Sequence, residues 1–142
     1  MTNDDIGFYF KRIDVMMVKQ VNEALKEHDV TFSQMKVLSY ILAHENEKIN
    51  LRDIETEFEL THPTVVGILN RMEQKELIRS EQNPSDRRSR NIIPTDRARD
   101  VARDICEAKQ ALNRKLTSKI TDAQLDELRG LLELVYNGLC EL

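Results

Sequence analysis

One break in period constrains this chain more than any other feature. On either side of residues 78–94 the apolar positions recur every three to four residues, the repeat of an amphipathic helix, and inside that segment they do not. Two short stretches, Ile78–Gln82 and Arg90–Pro94, flank Asn83-Pro84-Ser85-Asp86, whose proline, serine and aspartate are turn formers. The segment is therefore predicted to be a two-stranded hairpin, with Pro94 closing its second strand at an edge. The fold class that follows is mainly α with a small β-hairpin.

The helices can be placed from their starts. In residues 4–27, Ile6, Phe10, Ile13, Met17, Val21 and Ala24 form one apolar face, and Phe8, Val15, Val18 and Leu25 a second flank. So broad an apolar surface needs two packing partners, which favours burial against another subunit. Thr31-Phe32-Ser33-Gln34 has the capping-box pattern and opens a helix through Met35, Leu38, Ile41 and Leu42. Polar residues 44–48 end it, and Asn50 is placed to cap a short helix carrying Leu51, Ile54 and Phe58. Thr61 is predicted to cap the next helix, in which Val65, Ile68, Leu69 and Met72 fall at i, i+3, i+4 and i+7 and face the core. The opposite side presents Pro63, Val66, Gly67, Asn70 and Gln74, flanked by Thr64 and Arg71, a surface with little bulk at its start. Residues 96–119 are helical again through Ala98, Val101, Ile105, Leu112 and Leu116. A second capping box, Thr121 to Gln124, opens a last helix through Leu125, Leu128, Leu132, Val135 and Leu139. No repeat, low-complexity tract or Gly/Ser linker suggests a cut, so residues 1–142 read as one domain.

Charge is informative in its distribution. The 142 residues carry 21 Lys and Arg against 25 Asp and Glu. Residues 61–103 hold nine basic and six acidic side chains, a local balance of +3, which leaves −7 on the rest. A basic segment in an acidic protein suits a surface that meets a polyanion, although a solvated charged face gives the same tally. Cys106 and Cys140 sit in helical segments without ligand spacing and read as buried structural thiols of a reducing compartment. His28, His44 and His62 lack any i, i+4 partner, so no metal site is expected. Glu55, Glu57 and Glu59 read as exposed helix polarity. No activated nucleophile, phosphate-cradling glycine loop or paired catalytic carboxylates can be found, so neither catalytic residues nor a cofactor is expected, and the chain does not read as an enzyme. No apolar run reaches membrane-spanning length, and the polar, acidic N-terminus lacks the pattern of a secretory signal, which points to the cytoplasm.

Three compact helices followed by a basic hairpin is the order of a winged helix-turn-helix, in which the third helix enters the major groove of DNA and the hairpin reaches an adjacent groove. Thr61, His62, Pro63 and Thr64 form a helix start free of bulk, whose amides can approach phosphate. Arg87, Arg88 and Arg90 lie at the far end of the hairpin, where a guanidinium can enter a narrow minor groove, and Asp86 is placed to pair with one of them and fix the turn.

From Leu60-Thr61-His62-Pro63-Thr64-Val65 through Leu77-Ile78, and again in Asp86-Arg87-Arg88, the chain resembles the MarR family of regulators, and the likeness runs over Ile6–Leu142, essentially its whole length. The resemblance implies a homodimer held by residues of about 4–28 and 96–142, with a winged-helix core at about 31–95. It also implies repression at a pseudo-palindromic operator and release by a small-molecule effector. By the same resemblance, Arg88 is the wing arginine and Asp86 its orienting partner. His62, Pro63 and Thr64 match the contacting start of the recognition helix, with Gly67, Asn70 and Arg71 on its outer face. A family-type effector cleft makes Phe10, Met17, Tyr40 and Ala102 loose pocket candidates. Two positions depart from the family pattern: Gly67 stands where many members carry an arginine, and Pro94-Thr95 replaces a Leu-Thr pair, which is expected to shorten the second strand. Gly67 and the net negative charge keep open a second reading, a dimeric helical module that binds a small molecule or partner and no longer reads DNA.

Overall fold

The computed structural model describes residues 5–141. The acidic start read above therefore lies largely outside the described residues. Among the described residues the chain forms two compact units, one ending at Ala108 and the other beginning at Lys109.

The first unit begins with α1 (Ile6–Glu27), capped by the Asp5 carboxylate, which accepts the Gly7 amide at 2.9 Å. The helix stops at His28. Asp29 then turns through φ 54°, and the Val30 amide bonds the Leu25 carbonyl at 2.9 Å, which drops Val30 into the core. Only this C-terminal end of α1 is anchored: Leu25 is buried, while Ile6 and Met16 remain 65% and 64% exposed. Both capping-box bonds predicted for α2 (Phe32–Ala43) are present, Gln34 N to Thr31 Oγ1 at 3.2 Å and Thr31 N to Gln34 Oε1 at 3.1 Å. Asn50 caps α3 (Leu51–Phe58) in the same reciprocal way with Asp53.

Then come α4 (His62–Gln74), β1 (Ile78–Gln82) and β2 (Arg90–Pro94). The strands pair antiparallel from Ile78 opposite Pro94 to Gln82 opposite Arg90. Pro94 does not shorten β2; it ends a full five-residue strand, buried, at a position where no further ladder amide is needed. Nor is that side of β2 bare, because the Ile92 amide bonds the Ile49 carbonyl at 2.8 Å. The chain entering α3 thus ties the hairpin to the helices. Finally α5 (Asp96–Thr117) starts on Thr95, whose Oγ1 accepts the Ala98 amide at 3.2 Å and donates to the Glu76 carbonyl at 2.6 Å.

Leu38, Ile41, Ile54, Val65, Met72, Leu77, Ile92 and Ala98 form one core across α2, α3, α4, the hairpin and the start of α5. Removing a large apolar side chain of this kind from water is worth about 1.5–3 kcal/mol, so packing rather than propensity holds these short helices in place. The second unit comprises the end of α5 and α6 (Asp122–Cys140). Its Thr121–Gln124 capping box is formed. No residue of α6 is buried, and Leu131, Leu134, Tyr136 and Leu139 are exposed. Cys106 and Cys140 are both exposed, so the reading of buried thiols is corrected: they lie on helix faces that this chain does not cover.

Candidate nucleic-acid interface

The geometry of α4 follows from its two faces. Val65, Leu69 and Met72 are buried, as their spacing predicts, and lock the helix against the core. On the other side His62, Pro63, Thr64, Asn70, Arg71 and Gln74 are exposed. A Cβ built on Gly67 would meet no other atom within 4 Å, so this glycine is demanded neither by packing nor by backbone conformation.

The start of α4 differs from the prediction. Thr61 is the N-cap residue, but its side chain accepts no amide. Its hydroxyl pairs instead with that of Thr64 at 2.8 Å. Pro63 has no amide to offer, so the first turn leaves backbone donors directed outward with no side chain covering them.

Where α4 ends, Glu76 adopts φ 57° and the Leu77 amide bonds the Met72 carbonyl at 2.9 Å, a Schellman-type closure built without glycine. Lys75 braces this end. Its Nζ donates to the Asp29 carbonyl and to Gln34 Oε1 at 3.2 Å, and lies 3.5 Å from the Asp29 carboxylate. Gln34 is 3% exposed, and its side-chain oxygen accepts two bonds, one from Lys75 and one from the Thr31 amide of its own helix cap. The far end of α4 is therefore strutted to the α1–α2 corner.

In the hairpin turn, Asp86 acts on the backbone. Its Oδ1 accepts the Arg88 amide at 3.0 Å and its carbonyl accepts the Ser89 amide at 3.0 Å. The predicted pairing with an arginine head group is corrected: an Asx-type turn satisfies the carboxylate locally, leaving the guanidinium groups to point elsewhere. Asn83 N to Ser89 O and Ser85 N to Asn83 Oδ1, each 3.0 Å, complete the turn. Arg90 folds back, donating to the Ser80 carbonyl at 3.1 Å. Arg87 and Arg88 are exposed, and among the described residues neither guanidinium has an ion-pair partner.

Several of the nine cations counted in residues 61–103 are neutralised: Arg79 by Glu81, Arg99 by Glu45 and Asp96, Arg103 by Asp100 and Asp104, and Lys75 by Asp29. Arg71, Arg87 and Arg88, on α4 and the turn, are not among them. Nor are Arg90 of β2 and Arg97 of α5, so the cations without an ion-pair partner among the described residues lie on α4, the hairpin and the start of α5.

The three histidines all stand at helix ends: His28 and His44 are C-caps, with His28 3.6 Å from Asp104, and His62 opens α4. His62 also exposes a residue that sequence reasoning missed. Glu55 of α3 is not merely exposed polarity, because its Oε1 lies 2.6 Å from His62 Nδ1. Seven residues and a helix turn separate the two, and only the angle between α3 and α4 joins them.

The pocket candidates are not brought together. Tyr40 packs its ring on His44 at 4.3 Å and edge-on to Phe58 at 5.8 Å, contacts within α2 and α3. Burial first, and then Asp53, Glu57 and Glu47, raise its phenol above the ordinary tyrosine value. Phe10 and Met17 are exposed on α1, and Ala102 is half-buried on α5. An open groove along α1 is lined by Lys11, Val15, Val18, Asn22 and Lys26 among others, and none of the four candidates borders it.

A two-helix turn braced on a compact core, with its second helix uncapped and exposed and a cation-tipped hairpin after it, defines a winged helix-turn-helix protein. The MarR family model matches residues 28–89. MgrA, an HTH-type transcriptional regulator of Staphylococcus aureus, is 28% identical over 120 residues, covering 84% of this chain and 79% of that protein. BilQ, an HTH-type transcriptional regulator of Clostridioides difficile, is 28% identical over 106 residues, 75% of this chain and 70% of its own. Among solved structures, the S. aureus MepR–DNA complex superposes with a TM-score of 0.87 at 23% identity, covering 94% of this chain and 98% of that one. MepR bound to ethidium bromide gives 0.79 at 23% identity, with 95% and 96% covered. Residues 28–89 are thus similar to the MarR family, and the fold is similar to that of MepR. The named relatives are transcriptional regulators rather than enzymes. No helix among the described residues is long and apolar enough to cross a membrane.

Proposed function

We propose that this regulator is a cytoplasmic homodimeric repressor in which each subunit sets the start of α4 in a major groove and the 83–89 turn against the neighbouring groove of a pseudo-palindromic operator. One observation carries the reading: among the described residues Arg71, Arg87 and Arg88 keep no carboxylate partner, on the same module whose helix start is left uncapped. Thr61, His62, Pro63 and Thr64 serve as the phosphate- and base-contacting start. Gly67, Asn70 and Arg71 line the outer face of α4. Asp86 holds the turn from which Arg87 and Arg88 reach DNA, and Arg90 joins them by releasing the Ser80 carbonyl. MepR, solved with DNA bound, supports this use of the fold.

The dimer reading rests on the apolar residues that α1 and α6 leave exposed, among them Ile13, Met16, Leu131 and Leu134. Such surface is costly in water and suits a self-complementary twofold contact. Residues of about 31–95 then form the DNA-reading core, and those of about 4–28 and 96–142 the dimerisation helices. A small-molecule effector that releases DNA is consistent with the ethidium-bound relative.

The test is selection of a duplex from a randomised library by the wild-type protein, followed by fluorescence anisotropy across a salt series. Enrichment of a two-half-site duplex, with affinity falling steeply as salt rises and phosphate counterions are released, is expected. A dimer that enriches no duplex and shifts no band would instead be a helical small-molecule-binding or interaction module.

A further inference from the structure

A carboxylate at the mouth of a recognition helix is a physical oddity. Glu55 brings negative charge toward a polyanion, and its removal should by itself strengthen DNA binding. Yet it is held in place: its side chain is 23% exposed, and it sits 2.6 Å from Nδ1 of His62, which is 69% exposed at the first position of α4. An ionised carboxylate only accepts hydrogen bonds, so Nδ1 carries the proton in either charge state of the ring. Nε2 is then the one ring nitrogen left to meet anything outside.

Other charges around the ring are few. On the α3 side, Arg52 lies one turn before Glu55, and Glu59 is the left-handed cap residue just past the helix end. On α2, Lys36 lies over the Phe32 and Phe58 rings, and α4 has no other charge before Arg71. β1 meets only the far end of α4, where Glu73 accepts the Ser80 amide.

We propose that Glu55 is a positioning residue for DNA recognition. By accepting the hydrogen bond from Nδ1–H of His62 it fixes the plane and tautomer of the ring and aims Nε2 outward. On DNA, the ring is an imidazolium braced between Glu55 and a hydrogen-bond acceptor, either a phosphate oxygen or the guanine N7/O6 edge. This rests on the DNA-binding reading and gives the start of α4 a polar reader, although Gly67 provides none further along. It also gives the sign of the pH dependence: Nε2 donates only when the ring is protonated, so affinity is full at low pH and falls as the ring loses that proton.

The experiment is a double-mutant cycle by anisotropy on the duplex selected by wild type, with Glu55→Gln, His62→Ala and the double variant, each checked by thermal melt. At a pH of about 6, Glu55→Gln is expected to lose about fivefold to a hundredfold in affinity, the range of one specific contact, although it removes a negative charge. In the His62→Ala background the same substitution should change affinity less than about twofold. Wild-type affinity should fall as pH rises, while the His62→Ala profile stays flat. Tighter binding by Glu55→Gln, or an equal loss in both backgrounds, overturns the proposal. If Glu55→Gln does not fold, the wild-type and His62→Ala profiles decide: parallel profiles overturn it and divergent ones support it. A pH dependence that persists on an unselected duplex assigns the acceptor to phosphate, and one confined to the selected duplex assigns it to a base edge. Failure to enrich any duplex overturns the DNA reading and this proposal with it, whereas enrichment with a failed cycle overturns this proposal alone.

Discussion

Gly67 allows stability and recognition to be separated within one side chain. It lies inside α4 with helical backbone, and an added Cβ meets nothing within 4 Å. Glycine in a helix interior costs about 0.8–1.0 kcal/mol relative to alanine, because the unfolded chain has more freedom to lose. With no clash to offset that gain, Gly67→Ala should stabilise the protein by about 1 kcal/mol. For a chain of this size that is a rise in melting temperature of roughly 3–5 °C, read by circular dichroism at fixed protein concentration because a dimer melts by mass action. Gly67→Leu adds bulk to the same outward face, where the proposed groove contact needs close approach. It should melt no lower than Gly67→Ala by more than about 1 kcal/mol, since the two helix propensities are similar, yet bind the selected duplex at least about tenfold more weakly. A lower melting temperature for Gly67→Ala would refute the open-surface argument. Undiminished binding by Gly67→Leu would refute the close approach of α4 to DNA.

Further outcomes follow from single contacts. Arg88→Ala should weaken DNA binding by about 1–3 kcal/mol and flatten the salt dependence without moving the melting temperature, because its backbone amide, not its head group, bonds Asp86; anisotropy and a thermal melt check both. Glu76 occupies the left-handed region at φ 57°, so Glu76→Gly should raise stability by about 1 kcal/mol in chemical denaturation. Ile13 is 44% exposed on α1, and Ile13→Glu should shift the protein toward monomer in light scattering while the winged-helix core keeps its circular dichroism. The Tyr40 phenol is raised in the folded state, so folding favours its neutral form: that contribution is intact below the ordinary value of 10.0 and is lost as pH climbs through the higher folded value. Tyr40→Phe should therefore resist alkaline unfolding better than wild type above about pH 10, with denaturant midpoints as the readout.

How much of this was legible in the sequence depends on the range of the interaction involved. Period and capping are local, so the hairpin limits, the Thr31 and Thr121 capping boxes, the Asn50 cap and the buried side of α4 at Val65, Leu69 and Met72 all agree with what the residues predict. Composition likewise located the basic segment, since charge needs no partner to be counted. Where a side chain chooses between partners, spacing was not enough. Thr61 takes Thr64 rather than an amide, Asp86 takes a backbone N–H rather than a guanidinium, and Arg90 turns back to Ser80. Each choice is made between groups a few ångströms apart, below what periodicity resolves.

Contacts across elements were invisible for a different reason. Ile49 bonding Ile92, Lys75 bracing Gln34 and Asp29, and Glu55 reaching His62 depend on how packed helices cross, which core volume decides and no local pattern encodes. The sequence by itself determined the order of elements, the faces that go inward and the place where cations gather, because those follow from hydrophobic period and charge. Tertiary structure alone decided which of those cations stay unpaired, that the start of α4 stays uncapped, and that Glu55 stands behind His62, because these depend on atoms distant in the chain being packed within hydrogen-bond reach.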